Sequence, residues 1–483
     1  MSNTTSVSAR MRIESILDDS SFVEIGAGVR ARATDFNVQD NALVSDGVIT
    51  GYGVINGNLV YIYSQDATIM NGSIGEMHAR KIAGLYDMAL KMGAPVIGLI
   101  DCAGLRLQEA TDALAGFGTI YNKMAMASGV IPQITAVYGN CGGGLAVLTA
   151  LSDFVFMEEK DAKLFVNSPN ALDGNYADKL DTANAEFQAA SGLVDFVGDN
   201  QTIADGIREL VSVLPANNED EAEYADSQDD LNRVCSNLEA EAVDPALALA
   251  DISDDGLFVE VKKTYAAEMV TGFIKIDGAT VGAVANRTAV FDENGEKSKE
   301  YDSVLTVNGA RKAAEFVNFC DAFEIPVLTL TNVTGFESSI CAEKHIAKAV
   351  AKLTFAFADA SVPKVNVITG KAFGSAYIAM NSKSVGADLT YAWPSSSIGM
   401  MEPELAVKIM YADEIAKSDN VSAAVSEKAA EYAALQSNIS SAAARGYVDT
   451  IINPEDTRKY VAAAFEMLYS KREDRPLKKH GTV

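Results

Sequence analysis

The chain has 483 residues, with 39 Lys+Arg against 66 Asp+Glu and a formal charge of −27. At about 150 residues per domain the length predicts two large domains or three smaller ones, and 48% hydrophobic with 22% charged residues excludes wholesale disorder. The acidic balance argues against nucleic acid as a partner; no run reaches the ~18 uncharged apolar residues of a membrane span, and the polar start lacks a secretory signal, so a cytoplasmic protein is expected.

Along the chain, Gly51, Gly53 and Gly57 hint at a dinucleotide fingerprint, but Asn56-Gly57 between alternating apolar residues predicts a hairpin turn. After Gly72-Ser73-Ile74-Gly75 come His78, Arg80 and Lys81, whose cations either meet phosphates or decorate a helix. Residues 85–91 read as an amphipathic helix and 94–100 as a buried strand, followed by Asp101-Cys102-Ala103-Gly104. Arg106 and Glu109 stand at helical spacing, paired with each other or contacting substrate. A second buried strand (130–134) leads to Gly139-Asn140-Cys141-Gly142-Gly143-Gly144 and a helical stretch.

Beyond an acidic run at residues 217–230, read as a solvated linker, the pattern returns. Pro95 and Pro326, Gly104 and Gly335, and Pro132 and Pro363 are each 231 apart (326 − 95, 335 − 104, 363 − 132), and Gly139–Gly144 falls on Gly370-Lys371-Ala372-Phe373-Gly374-Ser375. Thr50-Gly51 answers Thr271-Gly272 at 271 − 50 = 221, the difference of ten matching a polar insertion near residues 291–300. A repeat this long is a duplicated domain, not a solenoid. Strands alternating with helices make each copy α/β with a mostly parallel sheet; domains 1–240 and 241–483 are expected. The basic stretch 471–480 reads as an arm.

Glycine turns between a buried strand and a helix present bare N–H groups at a helix start, suited to an anionic oxygen of an enolate or a phosphate. Cys141 is read as a packing residue, because no His lies in a matching loop and the second copy has Ala372. The five cysteines form no CxxC pair and the histidines number three, so neither a zinc site nor a His-based triad is expected, and no metal.

Ser8-Ala9-Arg10-Met11-Arg12-Ile13, Gly72-Ser73-Ile74-Gly75-Glu76, Gly93-Ala94-Pro95-Val96, the turn Gly139–Gly144 with Ser152-Asp153, and Gly370–Tyr377 with Gly386-Ala387-Asp388 and Ala392-Trp393-Pro394 span nearly the whole chain. In these stretches it resembles the carboxyltransferase subunits of biotin-dependent acyl-CoA carboxylases and decarboxylases, of the propionyl-CoA carboxylase β and methylmalonyl-CoA decarboxylase α type. The resemblance implies two crotonase-like (ClpP-like) domains of spiralling ββα units, the N-terminal one on the acyl-CoA side and the C-terminal one on the biotin side. It implies that Gly143 and Gly144 hold the acyl thioester oxygen as its enolate forms, and Ser375 and Ala376 the ureido oxygen of biotin. Gly72, Ser73 and Gly75 would lie near the CoA, with Arg80 and Lys81 weaker candidates for its phosphates. Ala103, Gly104, Gly142, Phe373, Gly374, Tyr377 and Ile378 would line the substrate sites, Ile378 replacing an Asp of some relatives and favouring a small apolar acyl group.

The implied activity is transfer of CO2 between carboxybiotin on a carrier protein and the α-carbon of a short acyl-CoA. The implied partners are a biotin carboxyl carrier protein, a biotin carboxylase subunit or a membrane decarboxylase subunit coupled to a sodium pump, and copies of the chain in a hexamer. A decarboxylase α subunit and an inactive scaffold are the alternatives, with a crotonase-like hydratase or hydrolase acting without biotin as a further enzyme class.

Overall fold

The structure, a computed structural model, describes residues 7–32, 45–175, 179–220, 227–291, 295–473 and 481. The chain divides into two compact units, Met1–Glu221 and Ala222–Val483. Cys235 and Leu238, which precede the border expected after residue 240, belong to the core of the second unit. Most of the basic arm and the middle of the acidic run lie outside the described residues. Of the rest of that run, Asp229 is engaged rather than solvated, 3.0 Å from Arg233.

In the first unit, alternating apolar residues fold into the antiparallel hairpin β2 (Val48–Ile55) and β3 (Asn58–Gln65). Asn56 and Gly57 close it with φ of 50° and 84°, a type I′ turn, and so leave no place for a dinucleotide loop. β1 (Val23–Ile25) flanks β2, while β4 (Val96–Cys102), β5 (Gln133–Gly142), β6 (Phe154–Glu158) and β8 (Phe196–Gly198) run parallel beyond β3 in that order. β7 (Lys163–Phe165) pairs with the end of β5. Parallel neighbours need crossover helices, and α1 (Glu76–Met92) and α2 (Ala110–Ala127) provide them, placing Ile82, Leu85, Ile120 and Met124 in one core with Ile100 and Val137. The short α3 (Gly144–Ala150) follows β5.

The second unit repeats this order: β9 (Val259–Val261), β10 (Met269–Ile276), β11 (Ala279–Asn286), β15 (Val327–Val333), β17 (Lys364–Phe373), β18 (Leu389–Ala392) and β20 (Thr450–Ile451), with β19 (Ser397–Gly399) on the end of β17. Helices α4 (Val307–Ala322), α5 (Ile346–Asp359) and α6 (Gly374–Ala379) answer α1 to α3. Equivalent strands start 231 apart after the insertion (327 − 96, 364 − 133) and 221 apart before it (269 − 48). The insertion falls where β12 (Ala289–Phe291) pairs antiparallel with β13 (Lys297–Glu300).

The likeness extends to single bonds. Gln65 accepts the N–H of Asp101 at 3.3 Å, and Asn286 that of Asn332 at 3.0 Å. Asp153 accepts from Gln133 N–H and Asp388 from Lys364 N–H, both at 2.8 Å. A Cβ on Gly51 or Gly272 would stand 2.3 or 2.4 Å from the carbonyl of Val23 or Val259, so β2 and β10 both require glycine where β1 and β9 pair with them. Trp393, the chain's one tryptophan, is buried in the second core and donates Nε1–H to Thr457 at 3.0 Å.

Candidate active site

Open parallel sheets gather ligands beyond the carboxyl ends of their strands. In the first unit β4 and β5 are neighbours paired through Cys102 and Cys141, so the loops that leave them emerge together. The loop between β3 and α1 joins them: Ala103 N–H donates to Asn71 O (3.0 Å), Ile74 N–H to Gly104 O (2.9 Å) and Arg106 N–H to Ile74 O (2.9 Å). Gly72, Ser73, Gly75, Ala103, Gly104, Gly142, Gly143 and Gly144 therefore share one end of one sheet.

The three consecutive glycines have three separate causes. A Cβ on Gly142 would lie 2.9 Å from the Phe165 ring. Gly143 has φ 63° and ψ −126°, which costs an L-residue dearly, yet a Cβ there would meet nothing within 4 Å. Gly144 abuts Phe117 and Tyr121, whose hydroxyl donates to its carbonyl at 2.5 Å. Gly143 N–H is already donated to Phe165 O at 2.8 Å. Gly144, as the first residue of α3, has an N–H with no intrahelical partner.

In the second unit β15 and β17 are paired through Val333 and Ala372. Gly374 repeats the φ of 63° and is the counterpart of Gly143 (374 − 143 = 231), which makes Ser375 the counterpart of Gly144 and places Ala376 one residue further on. Gly142 pairs across strands with Phe165, and at the equivalent place Phe373 pairs with Gly399: ring and glycine have exchanged strands. Ala376 and Tyr377 are buried, with burial pushing the Tyr377 phenol up to about 12. Ser375 and Ile378 face outward. Val147, which sequence reasoning passed over, is the counterpart of Ile378 (378 − 147 = 231); both are exposed branched residues one turn into the helix.

Arg80 and Lys81 are each held by other partners. Arg80 is exposed and paired with Glu76 at 2.7 Å. Lys81 is nearly buried, donating to Val48 O at 2.5 Å and reaching Asp46 at 3.3 Å. Its counterpart Lys312 (312 − 81 = 231) donates to the carbonyls of Lys262 and Tyr265 at 2.8 and 2.9 Å. A lysine that recurs with backbone partners is part of the scaffold. Cys141 is fully buried and bonded to Thr149, its thiol pushed up to about 12 by burial, which denies it the thiolate a nucleophile needs. His78 is buried between Gln65 and Asp46 O, and desolvation lowers it to about 3. Arg106 and Glu109, by contrast, are joined at 2.7 Å, both completely enclosed.

The carboxyl transferase domain family matches residues 4–483. The chain is 38% identical over 491 residues to methylmalonyl-CoA decarboxylase subunit alpha of Propionigenium modestum, covering 99% of this chain and 93% of that protein. It is 40% identical over 492 residues to the propionyl-CoA carboxylase beta chain of Cereibacter sphaeroides, with the same coverage. Among solved structures it is similar to a hexameric transcarboxylase 12S with methylmalonyl-CoA bound: TM-score 0.90, 37% identity, 98% of this chain and 91% of that one.

Proposed function

Since the chain belongs to the carboxyl transferase domain family and is a biotin-dependent acyl-CoA carboxyltransferase, we propose that it moves CO2 between carboxybiotin on a carrier protein and the α-carbon of propionyl-CoA. The acetyl-CoA/malonyl-CoA pair is the second choice. Both units have the crotonase-like fold, and the observation that supports the reading is their twin glycine turns, each with φ 63° at the same position of the repeat.

The residues present fit both groups, because each turn opens a helix start toward space that no side chain fills: a Cβ at Gly143 would be unobstructed, and Ser375 is exposed. In this reading Gly144 N–H, beside Ala103 and Gly104, faces the thioester oxygen, and Gly143 contributes the backbone bend. Ser375 and Ala376 N–H face the ureido oxygen. When bound, carboxybiotin supplies the carboxyl group and a nitrogen base. The chain's part is preorganised donors where negative oxygen develops as the acyl-CoA α-carbon loses its proton, and losing one such donor costs about 3 kcal/mol, about 10²-fold in rate. A neutral, buried His78 is consistent with a protein that supplies placement rather than an acid or base. Ile378 sits at the mouth of the second turn and favours a small apolar acyl group.

Exchange between free biotin and methylmalonyl-, malonyl- or glutaconyl-CoA tests the reading; methylmalonyl-CoA should react fastest, and no exchange with any of the three would overturn it in favour of an inactive scaffold. Assembly into a hexamer and docking of a biotin carboxyl carrier protein complete the proposal, in the cytoplasm. The similarity to a methylmalonyl-CoA decarboxylase subunit supports the reverse direction as a second reading. Co-purification with a biotin carboxylase subunit, or with a membrane decarboxylase subunit, decides between the two.

A further inference from the structure

We propose that the Arg106–Glu109 pair is a positioning brace, present in the first unit alone, that sets the acyl-CoA loops for turnover; the inference rests on the carboxyltransferase reading above. Both side chains are 1% exposed, and their nitrogen and oxygen are 2.7 Å apart. Arg106 also donates through Nη2 to Ser73 O (2.6 Å) and Asp46 O (3.0 Å), and through Nε to Ser73 Oγ (3.4 Å). The second oxygen of Glu109 accepts Glu76 N–H at 2.6 Å, at the start of α1. The pair thus grips the Ser73–Glu76 loop from both sides of Gly75, where a Cβ would fall 2.3 Å from Glu109 Oε1 and 2.4 Å from Arg106 Nη1.

The second unit shows that the fold does not need this arrangement. The parallel bridge Ile74–Leu105, which joins the same two loops, recurs 231 residues on as β14 (Val304–Leu305) pairing with β16 (Gly335–Phe336). There the positions of Arg106 and Glu109 hold Glu337, whose carboxylate accepts from the nearby Ser339 hydroxyl at 2.9 Å, and Ile340, which is 86% exposed. The start of α4 is capped instead by its own Thr306, which accepts Gly309 N–H. An enclosed ion pair seldom repays its desolvation as stability. One retained in only one of two matching scaffolds points to geometry: it fixes Gly72–Gly75 against Gly104, beside the Gly144 amide.

Glu109→Gln keeps an acceptor for Glu76 N–H and removes the charge facing Arg106. With methylmalonyl-CoA as donor and free biotin as acceptor, kcat/KM for the CoA thioester should fall about 10- to 100-fold, the scale of an ångström-sized misplacement, while KM for biotin stays within twofold. Arg106→Met should show a similar loss, and Arg106→Lys should regain only part of it, since a point charge replaces the planar fork. Equal losses for both substrates, or none in a folded variant, would overturn the brace. If Glu109→Gln does not fold, Gly75→Ala, which pushes a methyl into the pair, gives the same comparison. Calorimetric affinity for methylmalonyl-CoA needs no turnover: wild-type binding without exchange would sink the carboxyltransferase reading yet leave the brace testable, and no wild-type binding would sink both.

Discussion

Burial holds both Cys141 and His78 in the neutral form, and each consequence can be checked. Cys141 lies inside a glycine turn and reads from the sequence as a packing residue, with Ala372 at that place in the second copy; its thiol is pushed up to about 12 by burial. Cys141→Ala should keep exchange within about threefold of wild type, because no thiolate is lost; a collapse of rate in a folded variant would reinstate the sulfur. Gly143 needs its positive φ, so Gly143→Ala should cost about 1–3 kcal/mol in stability through strain. It should also lower exchange at least 10²-fold by turning the Gly144 amide, read by steady-state rates beside a thermal midpoint. For His78 the folded value of about 3 lies below the ordinary 6.5, so below that pH the unfolded chain takes up a proton that the folded one refuses. Stability should therefore drop as pH falls from 6.5 toward 3, and His78→Gln should flatten that slope in urea midpoints measured against pH.

Pairs of elements carry the next set of expectations. Gln65 and Asn286 perform one task in two places, each satisfying a backbone N–H at the end of a buried strand. Replacing either with Ala orphans that donor and should cost about 1–3 kcal/mol, measured by chemical unfolding; a neutral result would mean the bond is idle. Phe165, half-buried at the end of β7, should lose about 1–3 kcal/mol when replaced by Gly, and adding Gly142→Phe, which copies the arrangement of Phe373 and Gly399, should restore a good part of it. Much of this scaffold was legible from spacing, because equal offsets between Pro95 and Pro326 or Gly104 and Gly335 survive only if the intervening strands and helices are conserved in length. The loops of the candidate site were legible likewise, because Gly139–Gly144 and Gly370–Ser375 hold the same offset. Lys81 was not: a cation after a glycine loop looks the same whether it meets a phosphate or the carbonyl of Val48, and only its echo in Lys312 separates the two. The Gly143 amide was equally hidden, since its acceptor, Phe165 O, belongs to a three-residue strand that no periodicity announces.

At the scale of the molecule, a charge of −27 must coexist with a CoA thioester that is itself a polyanion. With Lys81 committed to the scaffold and Arg80 paired with Glu76, long-range repulsion should slow encounter, and salt should relieve it. kcat/KM for methylmalonyl-CoA should thus rise about 2- to 10-fold between low and moderate ionic strength, whereas a fall would reveal a cationic funnel. The placement of Trp393 has a practical outcome of another kind. Because the only indole lies in the core of one unit, ultraviolet emission excited at its red edge is a private gauge of that half, blind to the other. Followed alongside circular dichroism in urea, it distinguishes a molecule that melts as one body from one whose halves let go in sequence.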